Sequence, residues 1–283
     1  MKPLEDWPAA ERQRIIGVFT DIDDTLTTDG AITPDALHAL ADLKAAGLHA
    51  IPITGRPIGW CAPFAQGDPA RGILPWPVDA IVAENGGVAF APENLCKNGL
   101  QPIYGLREKL LKRYQQSDTM RAGNCARMQA VAAQVLRQVP GAKLSQDSSG
   151  RETDIAIDHS EFAHLPPDKI ARVVSIMQAA GMTATVSSIH INGWFGEHNK
   201  LEGARWIVRE LFGRELEGEL NRWVYVGDST NDQIMFQHFA NSVGVAIIRC
   251  FEAELVQPPR YITQSVRGAG FAEVVQAVLR AHG

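Results

Sequence analysis

Short apolar segments that run directly into polar clusters constrain the fold of this chain more than any other feature. Residues 15–20 form a compact apolar run that leads into DIDDT (21–25), and residues 49–53 lead into TGRP (54–57). Apolar runs of this length are typical of strands buried in a parallel sheet. A helical pattern of apolar residues, ended by Gly47, separates the two runs. Strand, helix and strand joined by short connections predict a parallel α/β sheet.

The same pattern returns later in the chain. Residues 78–83 lead into ENGG (84–87), and residues 223–226 lead into GDSTND (227–232). The other elements predicted for the second half of this pattern are a strand and two helices, over residues 243–247, 201–212 and 271–281. These elements extend the predicted parallel sheet.

The middle of the chain has a different order of elements. It is predicted to contain helices over 104–139 and 167–180, and strands over 143–147, 152–158, 183–187 and 189–195. This order predicts an antiparallel sheet with helices on one face. We therefore expect a Rossmann-like core formed by residues 1–88 and 196–283, with an α+β domain inserted at residues 89–195.

Composition excludes several other classes of protein. The net charge of −5 argues against nonspecific binding of nucleic acid. No apolar run reaches the roughly 18 residues of a membrane helix, and the first residues do not resemble a secretory signal. The four cysteines include no CxxC pair, so no zinc site or dense disulfide framework is indicated. We expect a reduced, cytoplasmic protein with no membrane partner.

Three of the polar clusters lie at the carboxyl ends of predicted strands. Ligands bind at the carboxyl ends of strands in open α/β sheets, where Asp21, Thr54 and Asp228 are expected to converge. Two carboxylates about 4 Å apart repel by about 4 kcal/mol at an effective dielectric near 20. A dication removes that repulsion, and oxygen ligands favour Mg²⁺ over zinc.

An aspartate in such a site can also act as a nucleophile and form an aspartyl phosphate. An anion attacking an anionic phosphoryl group needs electrostatic help from a metal, a lysine or oriented donors. Lys200 lies at the start of a predicted helix just after the inserted domain, and Thr54 offers a hydroxyl beside backbone N–H groups.

Four motifs in this order resemble those of haloacid dehalogenase (HAD) superfamily phosphatases. The DxDxT motif corresponds to DIDDT (21–25), and the strand ending in threonine corresponds to ITGR (53–56). The lysine that opens a helix corresponds to Lys200, and the GDxxxD motif corresponds to residues 227–232. The position of the insert resembles the C2 cap, and its element order resembles the smaller IIB form. That form occurs in sucrose-phosphate, mannosyl-3-phosphoglycerate and Cof-like phosphatases and in phosphomannomutases.

The resemblance implies a role for each motif residue. Asp21 would be the nucleophile and Asp23 the general acid and base, while Thr54 and Lys200 would bind the transferred phosphoryl group. Mg²⁺ would be held by Asp21, the Asp23 carbonyl and Asp228, with Asp232 in or near the second shell of ligands. The candidate substrate-binding residues of the core are Thr54, Gly55, Arg56, Lys200 and Asn231. Many members of this superfamily have glycine where this chain has Asp24, whose role is left open between a turn residue and a functional one.

Specificity is expected to reside in the inserted domain. Strand alternation places His190, Asn192 and Trp194 on one face, and a polar and aromatic face suits a sugar. An exposed strand face with a structural tryptophan is the competing interpretation. The function predicted from the sequence is a Mg²⁺-dependent phosphatase acting on a small phosphorylated metabolite, most plausibly a sugar phosphate. The alternatives are a phosphomutase on the same scaffold and a non-catalytic ligand-binding protein.

Overall fold

A computed structural model describes residues 1–93, 109–187 and 189–283 of the chain. The strands of these residues are β1 (Lys2–Pro3), β2 (Gly17–Thr20), β3 (Thr27–Thr28), β4 (Ala31–Ile32), β5 (His49–Pro52), β6 (Ile81–Ala83), β7 (Val88–Pro92), β8 (Leu110–Tyr114), β9 (Lys143–Leu144), β10 (Ile155–Asp158), β11 (Thr183–Val186), β12 (His190–Trp194), β13 (Trp223–Gly227), β14 (Asn241–Gly244) and β15 (Tyr261–Ile262). The α-helices are α1 (Ala9–Arg12), α2 (Pro34–Ala45), α3 (Ile58–Gln66), α4 (Asp118–Gln138), α5 (Pro167–Ala179), α6 (Lys200–Phe212), α7 (Gln233–His238) and α8 (Arg267–His282).

A parallel sheet forms the centre of the molecule, as the apolar runs predict. Its six strands lie in the order β1-β15-β14-β13-β2-β5, and every neighbouring pair is parallel. Successive residues of β2 face opposite sides, so Val18 packs among residues of α2 and α8, whereas Phe19 packs among residues of α6 and α7. Helices therefore cover both faces, and the carboxyl ends of β2, β5 and β13 share one edge. The predicted α/β fold class is confirmed.

A smaller antiparallel sheet continues from this core. Strands β6, β7 and β8 pair in that order, and a parallel bridge between Ile53 and Val82 connects β6 to the end of β5. The prediction of a helix from residue 104 is wrong for Leu110–Tyr114, which pairs antiparallel with β7. Residues 104–108 lie outside the described part of the chain. The helix itself begins at Asp118, where the Ser117 hydroxyl caps it.

The inserted segment has the predicted antiparallel sheet. Strands β11, β12, β10 and β9 lie in that order, and all three neighbouring pairs are antiparallel. Apolar side chains of α4 and α5, among them Val135 and Val173, pack against Ile157 and Ile191 of this sheet in a third hydrophobic cluster. By contrast, β7 and Leu110 pack with the clusters of the core. The domain boundaries at residues 88/89 and 195/196 remain predictions.

Helix length and composition in the described residues do not suit a membrane-spanning segment.

A buried histidine lies in the short connection from β12 to α6. The ring of His198 stacks on Trp194 at 5.3 Å between centroids, and its Nε2 finds no hydrogen-bond partner among the described residues. Burial lowers the pKa of His198 to about 4. Because the unfolded chain has a histidine pKa near 6.5, the folded state disfavours the proton between these two values.

We therefore predict a pH-dependent contribution of His198 to stability. It is fully present above pH 6.5 and is lost as the pH falls toward 4, by about 2 kcal/mol between pH 7 and pH 5. Urea unfolding of the wild type and His198→Gln should show a stability difference that shrinks by this amount over that interval. His282→Gln, at the exposed end of α8, is the control variant. A difference that stays constant with pH would contradict the prediction.

Candidate active site

The carboxyl edge of the parallel sheet brings the sequence-predicted core residues together. Asp21 directly follows β2 and its backbone N–H donates to the Val226 carbonyl, which ties the first motif to β13. A pocket at this edge is lined by Asp21, Asp23, Thr54, Gly55, Arg56, Ser187, Ile189, His190, Asn192 and Asn231. Lys200, Asp228 and Asp232 are buried beneath it. The first and second motifs and strand β12 of the insert therefore meet at one site.

Lys200 neutralises the carboxylates at the floor of this pocket. Its Nζ lies 2.9 Å from Asp21 Oδ1 and 2.7 Å from Asp232 Oδ1. Asn199 caps α6, which places Lys200 at the first helical position. Burial opposes the charge, but Asp21 and Asp232 raise the pKa of Lys200 above its ordinary value. The side chain is therefore a permanent cation against the predicted nucleophile.

Both carboxylate oxygens of Asp232 already accept hydrogen bonds from neighbouring groups. Its Oδ1 accepts hydrogen bonds from Lys200 and from the Tyr225 hydroxyl, and its Oδ2 accepts from the backbone N–H groups of Asp228 and Ser229. A Cβ at Gly227 would clash with Asp232 Oδ2, so glycine is required where this carboxylate folds back. Tyr225 is fully buried, and in the sequence it reads only as a core residue of a strand.

Asp21 and Asp228 have the properties of a cation site. One oxygen from each of Asp21, Asp228 and Asp232 lies within 4.8 Å of the others. Asp228 Oδ1 accepts from the Thr25 hydroxyl at 3.3 Å, whereas the buried Oδ2 has no partner among the described residues. Burial raises the pKa of Asp21 to about 7, with Lys200 opposing the rise and Asp232 adding to it. Burial and Asp21 raise the pKa of Asp228 well above its ordinary value. An orphaned carboxylate oxygen among oxygen donors fits a hard dication such as Mg²⁺.

The second motif presents a hydroxyl to the pocket. Thr54 continues from β5, and its Oγ1 accepts a hydrogen bond from the Arg56 backbone N–H at 3.0 Å. The Thr54 hydroxyl donates to no group within the described part of the chain, so its hydrogen can donate to a ligand. The Gly55 carbonyl faces the insert and accepts from Arg151 at 3.0 Å and from Asn192 at 3.4 Å.

Arg56 makes contacts that the sequence does not indicate. Its guanidinium forks onto Asp23, with Nε 2.9 Å from Oδ2 and NH2 3.0 Å from Oδ1. The third nitrogen reaches Glu161 at 3.1 Å and Asp147 at 3.4 Å, both in the insert. Three carboxylates thus surround a side chain that is 9% exposed.

The insert contributes a polar wall to the pocket, and two of its three candidate residues belong to that wall. His190 and Asn192 line the pocket. His190 Nε2 lies 2.9 Å from Glu161 Oε2, and Asn192 donates to Asp154 at 2.9 Å. Trp194 does not line the pocket: it packs in the hydrophobic cluster of the insert and donates to the His198 carbonyl.

A buried carboxylate fastens the insert to the core. Glu84 accepts from the backbone N–H of Ile58, the first residue of α3, at 2.9 Å. It also accepts from the Glu152 backbone N–H at 3.0 Å and from the Thr153 hydroxyl at 2.6 Å. Both Glu84 and Asn85 have positive φ, which turns the chain sharply after β6. The sequence offers ENGG as a motif but does not reveal its partners in the insert.

The structure accounts for Asp24, which the sequence leaves open. Its φ of +53° explains why glycine suits this position, since the left-handed region is costly for other residues. Its Oδ1 lies 2.8 Å from Arg267 Nε at the start of α8. Asp24 is therefore a turn residue whose side chain ties the first motif to the last helix.

Comparison of the sequence with protein-family models and with curated proteins finds no match. Comparison with solved structures finds extensive similarity at low sequence identity. The sucrose-phosphatase from Synechocystis sp. PCC6803, in complex with sucrose and phosphate, is 15% identical, with a TM-score of 0.63 over 93% of this chain and 97% of that one. A haloacid dehalogenase-like hydrolase from Bacteroides thetaiotaomicron is 14% identical, with a TM-score of 0.61 over 93% of this chain and 99% of that one.

A HAD subclass IIB sugar phosphatase is also similar, at 15% identity and a TM-score of 0.56 over 92% of this chain and 97% of that one. The coverage includes both the parallel core and the insert. The chain therefore has the fold of these proteins, and the similarity confirms the HAD fold that the motifs predict.

The contacts of Lys200 with Asp21 and Asp232 lead to a prediction about stability. Lys200→Met should reduce the free energy of unfolding by about 3–5 kcal/mol in EDTA, because Asp21, Asp228 and Asp232 would be left without their cation. Denaturant unfolding with circular dichroism measures this loss. Arg209→Met, which breaks the exposed pair with Glu215, is the control and should cost at most about 1 kcal/mol. Equal losses in the two variants would show that Lys200 does not neutralise the cluster.

Proposed function

We propose that this protein is a Mg²⁺-dependent phosphatase that hydrolyses a small phosphorylated metabolite through an aspartyl phosphate. The observation that carries the proposal is the contact of Lys200 with Asp21 at the floor of a pocket. An ammonium at this distance lowers the cost of bringing an anionic phosphoryl group to an anionic nucleophile. The HAD fold, with this pocket between core and insert, supports the proposal.

The pocket supplies groups for each part of the phosphoryl unit. Lys200 and the free hydroxyl hydrogen of Thr54 would bind its equatorial oxygens, and Asn231 adds a polar side chain to the lining. Asp21, the Asp23 carbonyl and Asp228 would hold Mg²⁺, which would neutralise charge on the phosphoryl group. The contacts of Asp232 with Lys200, Tyr225 and backbone N–H groups favour an orienting role for it.

The proposed reaction has two steps. In the first, an Asp21 oxygen bonds to phosphorus and the bond from phosphorus to the ester oxygen breaks, while Asp23 gives its proton to that oxygen. In the second, a water oxygen bonds to phosphorus and the bond to Asp21 breaks, while Asp23 takes a proton from the water. Phosphate and the free alcohol leave, and both carboxyl groups return to their starting states.

The insert supports a polyhydroxylated leaving group. His190, Asn192 and Ser187 face the pocket opposite the motifs of the core. Hydroxyls of a sugar can donate to and accept from such groups. Glu161 already holds His190, and Asp154 holds Asn192. A sugar phosphate is therefore the proposed substrate class, in keeping with the sucrose bound in the sucrose-phosphatase of the same fold.

A panel of phosphorylated metabolites and p-nitrophenyl phosphate, assayed with Mg²⁺ and with EDTA, tests the proposal. We expect Mg²⁺-dependent phosphate release that favours a sugar phosphate. Asp21→Asn should reduce turnover by more than about 100-fold, because the nucleophile loses its charge. Arg267→Gln, which breaks the neighbouring pair with Asp24, is the control and should stay within about two-fold of wild type.

Three outcomes would contradict this account. Retention of more than about 10% activity in Asp21→Asn would exclude Asp21 as the nucleophile. Conversion of a hexose 1-phosphate to its 6-phosphate without net phosphate release would identify a phosphomutase. No release from any member of the panel would favour a ligand-binding protein.

A further inference from the structure

Arg56 lies where the core, the insert and the predicted acid and base meet. The resemblance of the second motif to that of HAD phosphatases implies that Arg56 binds substrate, as Thr54 would. The contacts of its guanidinium point to a different role, which concerns the orientation of Asp23.

The nitrogens of Arg56 are already occupied by carboxylates. Nε and NH2 donate to Asp23, and NH1 donates to Glu161 and Asp147. The guanidinium also lies 5.2 Å from the ring centroid of Trp60. Of the five N–H groups of a guanidinium, four therefore already donate to carboxylates that stay bound to the protein. Although Arg56 lines the pocket, at most one of its N–H groups is left for a ligand.

The fork onto Asp23 leaves one carboxylate oxygen less engaged than the other. Oδ1 accepts from Nε at 3.1 Å and from NH2 at 3.0 Å, whereas Oδ2 accepts from Nε alone. Two parallel donors fix the plane of a carboxylate, which a single bond would leave free to rotate. Oδ2 keeps a lone pair that can carry the proton exchanged with the leaving oxygen.

The insert holds the other side of the same guanidinium. Asp147 is itself bound by the Ser145 hydroxyl at 2.6 Å and by Arg151 at 3.3 Å, and Glu161 is bound by His190 at 2.9 Å. These acceptors are parts of a connected network rather than mobile side chains. The position of Arg56 therefore depends on the insert resting against the core.

We infer that Arg56 is a positioning residue that orients the carboxylate of Asp23 for proton transfer, and that Asp147 and Glu161 of the insert hold it in that position. The inference rests on the proposed phosphatase function and goes beyond it, because it couples the placement of the insert to the acid step. It also replaces substrate binding as the role of Arg56.

Two aryl phosphates of similar shape test the inference. Phenolate is a poorer leaving group than p-nitrophenolate because phenol, like tyrosine, has a pKa of about 10. Its departure therefore depends more on the proton from Asp23. Arg56→Gln should lower kcat/KM for phenyl phosphate at least 10-fold more than for p-nitrophenyl phosphate. kcat/KM is the measured quantity because it excludes hydrolysis of the phosphoenzyme. Wild-type rates on these esters test the phosphatase function, whereas only the ratio between them tests Arg56.

Further variants separate positioning from folding and from substrate binding. Arg56→Lys, which keeps the charge without the fork, should shift the ratio in the same direction. The double variant Asp147→Asn/Glu161→Gln, which retains Arg56, should shift it by about three-fold or more. Arg267→Gln should leave the ratio unchanged. Equal losses on both esters in Arg56→Gln would assign Arg56 to phosphoryl binding, and wild-type ratios in Arg56→Gln and the double variant would overturn the inference.

Discussion

The contact between the Lys200 ammonium and two buried carboxylates is the interaction on which the site depends. Asp21, Asp228 and Asp232 meet because parallel strands end at one edge of the sheet, and without a cation they would repel one another. Lys200 compensates two of them directly. The third, Asp228, has an oxygen without a hydrogen-bond partner among the described residues, which suits the Mg²⁺ that we propose for this cluster.

The insert completes this arrangement by closing over the edge of the sheet. Glu84 accepts hydrogen bonds from the main chain of the insert, and the Gly55 carbonyl accepts from Arg151. Arg56 links the core to the insert because it donates to Asp23 and to Glu161. Each contact is polar and largely excluded from water. Hydrogen bonds to charged groups are stronger in such a protected environment than in water. The same contacts bring the insert over the carboxyl edge of the sheet, where we propose that an aspartyl phosphate forms.

Much of the core could be predicted from the sequence because local patterns and topology agree there. The apolar run at 15–20 ends at Asp21, and the run at 223–226 ends before Asp228, so both carboxylates had to lie at the carboxyl edge. Leu110–Tyr114 was predicted as helix because its pairing with β7 is not visible locally. The partners of Arg56 in the insert, Asp147 and Glu161, lie 91 and 105 residues away in the chain. Only the folded insert brings them together.

Two further features were hidden for different reasons. Tyr225 has the apolar environment expected of a strand residue, and only its hydroxyl contact with Asp232 distinguishes it from a core side chain. Trp194 shares the predicted face of β12 with His190 and Asn192, yet its large apolar surface is accommodated in the hydrophobic cluster of the insert. Strand alternation gives the side of the sheet but not the depth at which a side chain lies.

The covalent state of Asp21 during turnover is the most direct test of the account. Asp23→Asn should slow hydrolysis of the phosphoenzyme more than its formation from p-nitrophenyl phosphate, because p-nitrophenolate needs little acid help. After quenching in acid, intact-mass spectrometry should then show protein about 80 Da heavier, with the added mass on the peptide that contains Asp21. A slow Asp23→Asn variant without added mass, or with phosphate on another residue, would contradict the account.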